Sequence, residues 1–365
     1  GSHTPNIPAA LHALFQMMFA TITPLIMTGS YAERLRWEAF LIFTLLWEIL
    51  VYYPAVHWIW GGGFLAKWGV LDYAGGIVVH TSAGAGALAI ALFLGPRADF
   101  LQYMGEAPPS NVPLAGVGAA LLWMGWFGFN GGAAMHAGNL AVSAVVSTHV
   151  AACVSCMVWL VLSMWNHRPA ATAMFNGILA GLAGITPASG FVSTQATIAI
   201  GLLCGLLAYY GSQISKKRFH IDDALDVHWI HGATGSLGSI LLGVFGRRAG
   251  DGVNDYWLHI HSSPWQIFIQ TVGVVFVGCY SFAVTWGILA AMKARMGSLA
   301  HDDDAQEAGL DWVDHGEVAY CRLNVLRDIR ATHPDAVSHI NGIALPSEED
   351  YMKHSTGKHP GGGGL

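Results

Sequence analysis

Apolar residues gather in nine long runs, near residues 7–30, 37–59, 72–95, 112–135, 138–165, 171–190, 192–213, 224–246 and 265–292, with short polar or glycine-containing breaks between them. A helix needs about 20 such residues to cross a hydrocarbon core about 30 Å thick. The pattern predicts an all-α, polytopic membrane bundle of about nine transmembrane helices over residues 1–296. The first run is span-length and lacks a basic leading region, so it does not read as a cleavable signal peptide. After residue 296 the pattern changes to a polar, charged tail, residues 297–365, ending "GKHPGGGGL". The tail reads as extramembrane, and its last stretch as disordered.

Composition supports the bilayer assignment. Of the 365 residues 53% are hydrophobic and 11% charged, against about 25% charged in soluble domains, and the mean hydropathy is +0.46. Much of the acid behind the net charge of −6 lies in the tail ("HDDDAQE", "PSEED"), so the charge gives no hint of a nucleic-acid partner. Cys153, Cys156, Cys204, Cys279 and Cys321 imply no disulfide framework, and the CxxC at 153–156 has no second pair to complete a metal site.

The charge bias of the loops sets the topology. With the N-terminus outside, inner loops hold Arg34, Arg36, Arg97, Arg168, Lys216, Lys217, Arg218, Lys293 and Arg295; outer loops hold only Lys67, Arg247 and Arg248. Positive residues favour the cytoplasmic side, so the C-terminus is expected inside. Glycines at helix-packing spacing (84 and 86, 128 and 132, 177 and 181, 235 and 238) predict close helix contacts.

Candidate chemistry lies inside the spans. "DYAGGIVVHTSAG" opens on Asp72 and carries His80; "DDALDVHWIHGATG" carries Asp226 and His231. An ionisable group at membrane depth is a functional candidate, and neutral imidazole offers one donor and one acceptor. A lone such histidine is more often a satisfied core residue, but two in matched contexts favour a polar track. Asp72 and Asp226 each read as helix N-caps that can also organise a site. Trp58, Trp60, Phe64 and Trp68 read as an interfacial aromatic belt or, more sharply, as a cation site. Glu48, midway along the second run, stays open between a functional carboxylate and a paired one.

Seven blocks occur in order: "NIPAALHALFQMMFATITPLIMTGSYAERLRW", "VHWIWGGGFL", "LDYAGGIVVHTSAG", "WMGWFGFNGG", "GLAGITPASGFV", "DVHWIHGATG" and "DHGEVAY". Together they resemble the ammonium transporter/Rhesus family, bacterial type. The resemblance implies eleven spans in two inverted repeats, a homotrimer and a pore through each subunit. It implies that Phe19 and Trp60 bind ammonium with Asp72 nearby, that Phe19 and Phe129 form a gate, and that His80 and His231 line the pore, with Asp226 structural beside it. The family carries a hydroxyl where this chain has Ala133, which costs the outer site an acceptor. This chain begins where the family's third span begins, so the first two family spans are expected to be lacking.

The expected function is ammonium transport in a bacterial plasma or inner membrane, with no catalytic residue, metal or cofactor. A cytoplasmic PII-type regulatory protein is the partner the resemblance permits. The alternative is an ammonium sensor of the same fold signalling through the tail. A third reading makes His80 and His231 axial ligands of a haem.

Overall fold

The computed structural model describes residues 7–103, 109–166, 168–246, 262–317 and 319. Arg247, Arg248, Cys321 and the acidic "PSEED" lie outside them. The described residues up to 306 belong to one compact body and those from 307 on to a second unit, in which α14 (Leu310–His315) is described.

Among the described residues the body is helical, and its one β feature is an isolated antiparallel bridge between Leu35 and Ala300. Its helices are α1 (Ala9–Ile26), α2 (Trp37–Trp47), α3 (Tyr53–Ile59), α4 (Phe64–Trp68), α5 (Ser82–Leu94), α6 (Phe100–Tyr103) and α7 (Val112–Gly132). They continue as α8 (Asn139–Asn166), α9 (Ala171–Ile185), α10 (Thr194–Phe219), α11 (Thr234–Phe245), α12 (Pro264–Met296) and α13 (Asp303–Ala308). Three π-helical turns interrupt the spans, at Glu48–Tyr52, Gly76–Thr81 and His228–Ala233.

Each of the nine apolar runs is helical. Seven described helices are long and apolar enough to cross a membrane, whereas Ala171–Ile185 is a shorter apolar helix. The run at 224–246 falls outside both groups because it opens on acids, imidazoles and a π-turn rather than on aliphatic residues. Leu114, Val117, Leu121 and Met124 of α7 and Val142, Met157 and Val161 of α8 point outward, as a lipid-facing surface requires. Many polar groups inside are paired: Trp47 Nε1 donates to Thr285 Oγ1 at 2.9 Å, and Ser281 Oγ to the Ser82 carbonyl at 2.6 Å. Hydrocarbon supplies no partners for such groups, so the bundle must.

Glycine at two helix crossings permits the close contact expected. A Cβ on Gly84 would collide with the backbone of Gly232, and one on Gly181 with the Ala151 carbonyl. Gly128, expected to pack likewise, has nothing within 4 Å of its Cβ position. Spacing alone does not say which face of a helix is covered.

Arg34 and Arg97 do more than bias topology. Arg34 Nη1 and Arg97 Nε both reach Asp222 Oδ2, at 2.8 and 2.9 Å, with Arg34 and Asp222 each 1% exposed. Arg97 also pairs with Glu33. Next to this cluster the chain beyond α12 is pinned: Arg36 N donates to Leu299 O at 3.0 Å and His301 N to Arg34 O at 2.8 Å. Glu48 sits half-buried in its π-turn and accepts from Tyr53 Oη at 3.3 Å.

Candidate functional site

The site is built from two π-turns that enter the bundle from opposite ends. One, Gly76–Thr81, follows Asp72 and runs into α5; the other, His228–Ala233, follows Asp223 and runs into α11. The Asp72 end lies beside the start of α12, where Gln270 Nε2 donates to Leu71 O at 2.8 Å. The other end lies at Arg97, just past α5, which donates to Asp222. The turns are therefore antiparallel, and they cross where Gly84 meets Gly232.

Each turn is started by a carboxylate eight residues ahead of its histidine. Asp72 Oδ1 accepts from Gly75 N and Gly76 N, both at 2.7 Å, while Oδ2 accepts from Ile77 N at 2.8 Å and Val78 N at 3.0 Å. Gly75 makes this cradle possible at φ 115°, a backbone conformation that side chains resist. The expected N-cap at Asp72 is thus what the structure contains, extended over four amides. Its carboxylate is fully committed to the turn, and its backbone carbonyl accepts from Trp60 Nε1 at 2.8 Å.

The second cap is Asp223, not Asp226. Asp223 Oδ2 accepts from His228 N and from His228 Nδ1, both at 3.0 Å. Asp226 occupies the position equivalent to Gly75, at φ 53°, which Asp tolerates better than most residues. Its carbonyl accepts from Trp229 N and Ile230 N, one residue earlier in register than the Val79 N and His80 N that the Gly75 carbonyl accepts from. Its carboxylate pairs with Lys216 Nζ at 2.7 Å. The matched spacing was present in the sequence: Asp223 precedes His231 by the same eight residues that separate Asp72 from His80. Burial pushes the Asp223 carboxyl up, but the hydrogen bonds it accepts from His228 outweigh it and hold it below the ordinary carboxylate value.

The turns bring the two histidines together. His80 Nδ1 and His231 Nδ1 are 3.3 Å apart, with ring centroids 5.2 Å apart and planes at 33°. His80 is fully buried and His231 half-buried. Two Nδ1 atoms can share one hydrogen only if one ring donates and the other accepts, so each ring fixes the tautomer of the other. His80 Nε2 is buried with no partner among the described protein atoms. Rings in direct contact leave no gap for a porphyrin plane, so the haem reading does not fit this geometry.

A column of aromatic rings leads to the pair. Trp60 meets Phe19 with centroids 5.4 Å apart, Phe19 meets Phe129 at 4.4 Å, and Phe129 lies over His80 at 6.0 Å and 21°. Phe19 comes from α1, Phe129 from α7 and Trp60 from the end of α3. The four rings expected to share one path therefore form a continuous series. Trp58, Phe64 and Trp68 do not join it; Trp58 and Phe64 pack on Phe276 of α12, both at 5.3 Å, and Trp68 packs on Phe64. Ala133 caps the end of α7, half-buried, four residues beyond Phe129.

One site residue went unnoticed in the sequence. Trp126 stacks on His80 at 5.3 Å and 20° and on His231 at 6.3 Å and 16°. Its Nε1 donates to Thr186 Oγ1 at 2.8 Å, which fixes the ring. The signal was its place three residues before Phe129, on the same helix face.

Membrane-length helices enclosing a file of aromatic rings that ends on two paired imidazoles have the architecture of a membrane transport protein. The comparisons supply the particular family. The chain matches the Ammonium Transporter Family over residues 1–320. It is 51% identical to Ammonium transporter 1 of Dictyostelium discoideum over 326 residues, 88% of this chain and 70% of that one. It is 42% identical to Ammonium transporter Amt1 of Archaeoglobus fulgidus over 310 residues, 85% of this chain and 78% of that one. The fold is similar to Saccharomyces cerevisiae Mep2, with a TM-score of 0.73 and 34% identity over 79% of this chain and 66% of that one. It is also similar to a solved Sensor Amt Protein, with a TM-score of 0.78 and 30% identity over 86% of this chain and 78% of that one. The chain belongs to the ammonium transporter family. It spans about 70% of the length of the Dictyostelium relative and 66% of the yeast structure.

Proposed function

We propose that this protein carries ammonium across the membrane and conducts it as ammonia past His80 and His231. The Trp60 and Phe19 faces attract the cation, and Asp72 contributes by holding the Trp60 indole and by its negative charge rather than by direct contact. Phe19 and Phe129 pack ring on ring and form a gate that excludes bulk water. Beyond it an ammonium ion loses its hydration shell and leaves a proton behind; the neutral molecule then finds a donor and an acceptor on the imidazole pair. Potassium has no proton to release, and the apolar file cannot replace its water. The observation that carries the reading is the His80–His231 contact of 3.3 Å at the end of the aromatic file, with His80 Nε2 left for a passing ligand.

In this reading the Trp60 end faces outward and the Arg34–Asp222 end faces the cytoplasm of a bacterial plasma membrane. The protein assembles as a homotrimer, its body passes into a cytoplasmic tail, and a PII-type regulator docks on the cytoplasmic side. The test is ammonium-driven current in proteoliposomes. The parent chain should pass ammonium and reject potassium, and Trp60→Leu should weaken apparent ammonium affinity by about 0.5–2 kcal/mol. Unchanged affinity would remove Trp60 from the site.

A second reading, an ammonium sensor, draws on the likeness to the solved Sensor Amt Protein. Saturable ammonium binding without any current would favour it.

A further inference from the structure

The two turns present the same backbone to opposite ends of the pore but fill one equivalent position differently. Five residues after Asp72 stands Ile77, fully buried and apolar; five residues after Asp223 stands His228. His228 Nδ1 lies 3.0 Å from Asp223 Oδ2 and its Nε2 lies 3.0 Å from Ser215 Oγ. Its side chain is 9% exposed and that of Asp223 is 1% exposed, and Ser215 is buried near the end of α10. Ser215 O also accepts from Ile221 N, which starts the loop carrying both aspartates. One imidazole therefore ties together the end of α10, the Asp222–Asp226 loop and the first residue of the turn that carries His231. Its Cα is also next to the point where α5 crosses: a Cβ on Gly84 would come within 3.5 Å of it.

We propose that His228 is a positioning residue for transport, which sets the place of His231 and hence the His80–His231 hydrogen bond. Asp72 holds its turn through four amides; Asp223 reaches fewer, and the His228 ring supplies the missing restraint. With its Nδ1–H donating to Asp223 Oδ2, the ring accepts the Ser215 hydroxyl proton at Nε2, so both ring nitrogens and the Ser215 hydroxyl are satisfied in one tautomer. Shifting the turn would lengthen a 3.3 Å contact that is already near the limit of a hydrogen bond.

This inference rests on the paired-imidazole reading, and the experiment separates the two. Ammonium and potassium currents are measured for full-chain His228→Phe, His228→Asn and Ser215→Ala, alone and combined with His231→Leu. His228→Phe keeps the bulk but loses both hydrogen bonds, and should lower ammonium-over-potassium selectivity about tenfold, the scale of one good hydrogen bond. His228→Asn restores a donor toward Asp223 and should recover part of that loss; Ser215→Ala should show a smaller loss. In the His231→Leu background His228→Phe should add nothing, because the group it positions is gone. A purely structural role would lower the yield of folded protein in both backgrounds without this pattern. If His228→Phe fails to fold, His228→Asn and Ser215→Ala still decide. Parent selectivity in all folded variants, with His231→Leu altered, overturns the positioning role alone. Parent selectivity in His231→Leu as well overturns the reading beneath it.

Discussion

The Asp72 turn and the Asp223 turn share spacing, backbone and a buried histidine, yet they are held by different chemistry. Asp72 anchors its turn to four backbone amides and nothing that titrates. Asp223 anchors its turn to one amide and an imidazole, while its neighbours Asp222 and Asp226 engage Arg34, Arg97 and Lys216. The first carboxylate is self-contained, since every amide it accepts from lies within six residues of it. The second draws on α10, on the loops before α2 and after α5, and through Arg34 on the segment after α12. The same imidazole pair thus sits between a rigid support and one wired to the rest of the bundle.

The sharpest way to break the comparison is to remove each carboxylate. Asp72→Ala would strand four buried amides at about 1–3 kcal/mol each, a total comparable with the stability of a whole domain. Little folded protein should survive solubilisation, as judged by size-exclusion chromatography. Asp223→Ala strands one amide and one ring N–H, about 2–6 kcal/mol, so it should yield folded protein with a lowered melting temperature. Equal losses in the two variants would mean that the supports do not differ.

The connection to the chain end predicts a smaller effect. Truncation after Gln306 keeps the bonds of Leu299 and His301 to the Arg34–Arg36 loop, whereas truncation after Met296 removes them. The longer chain should retain more activity, and the shorter one should lose about 1–3 kcal/mol of stability and alter flux or its regulation. Identical flux and thermal stability for both truncations would detach the segment from the Asp223 turn.

Much of this was legible in the sequence, because hydrophobic run length reports membrane spans directly and the collinear motifs are dense. Trp60, Phe19, Phe129, His80 and His231 form one continuous series of ring contacts. The errors have a common physical origin. Asp226 reads as the cap from its place at the start of the run at 224–246, but capping depends on where a carboxylate sits relative to the free amides, and Asp223 is the one that meets them. Arg34 and Arg97 read as loop charges because sequence shows charge and not its partner, which stands 188 and 125 positions away respectively. Trp126 was hidden among the many tryptophans: its place three residues before Phe129 puts it on the same helix face, and the stack on both imidazoles shows what it touches. The π-turns were invisible as well, since no residue pattern marks one extra residue in a helical turn.

The most direct test of the central claim is the set of ammonium and potassium currents for full-chain His80→Leu, His231→Leu and the double variant. Each single change removes one partner of the 3.3 Å contact and leaves the other imidazole short of a hydrogen bond, at about 1–3 kcal/mol. The account predicts folded protein, altered flux or lowered selectivity against potassium in each single variant, and a double variant that loses less than the sum. Parent currents and parent selectivity in all three would contradict it, and the two histidines would then be packing residues.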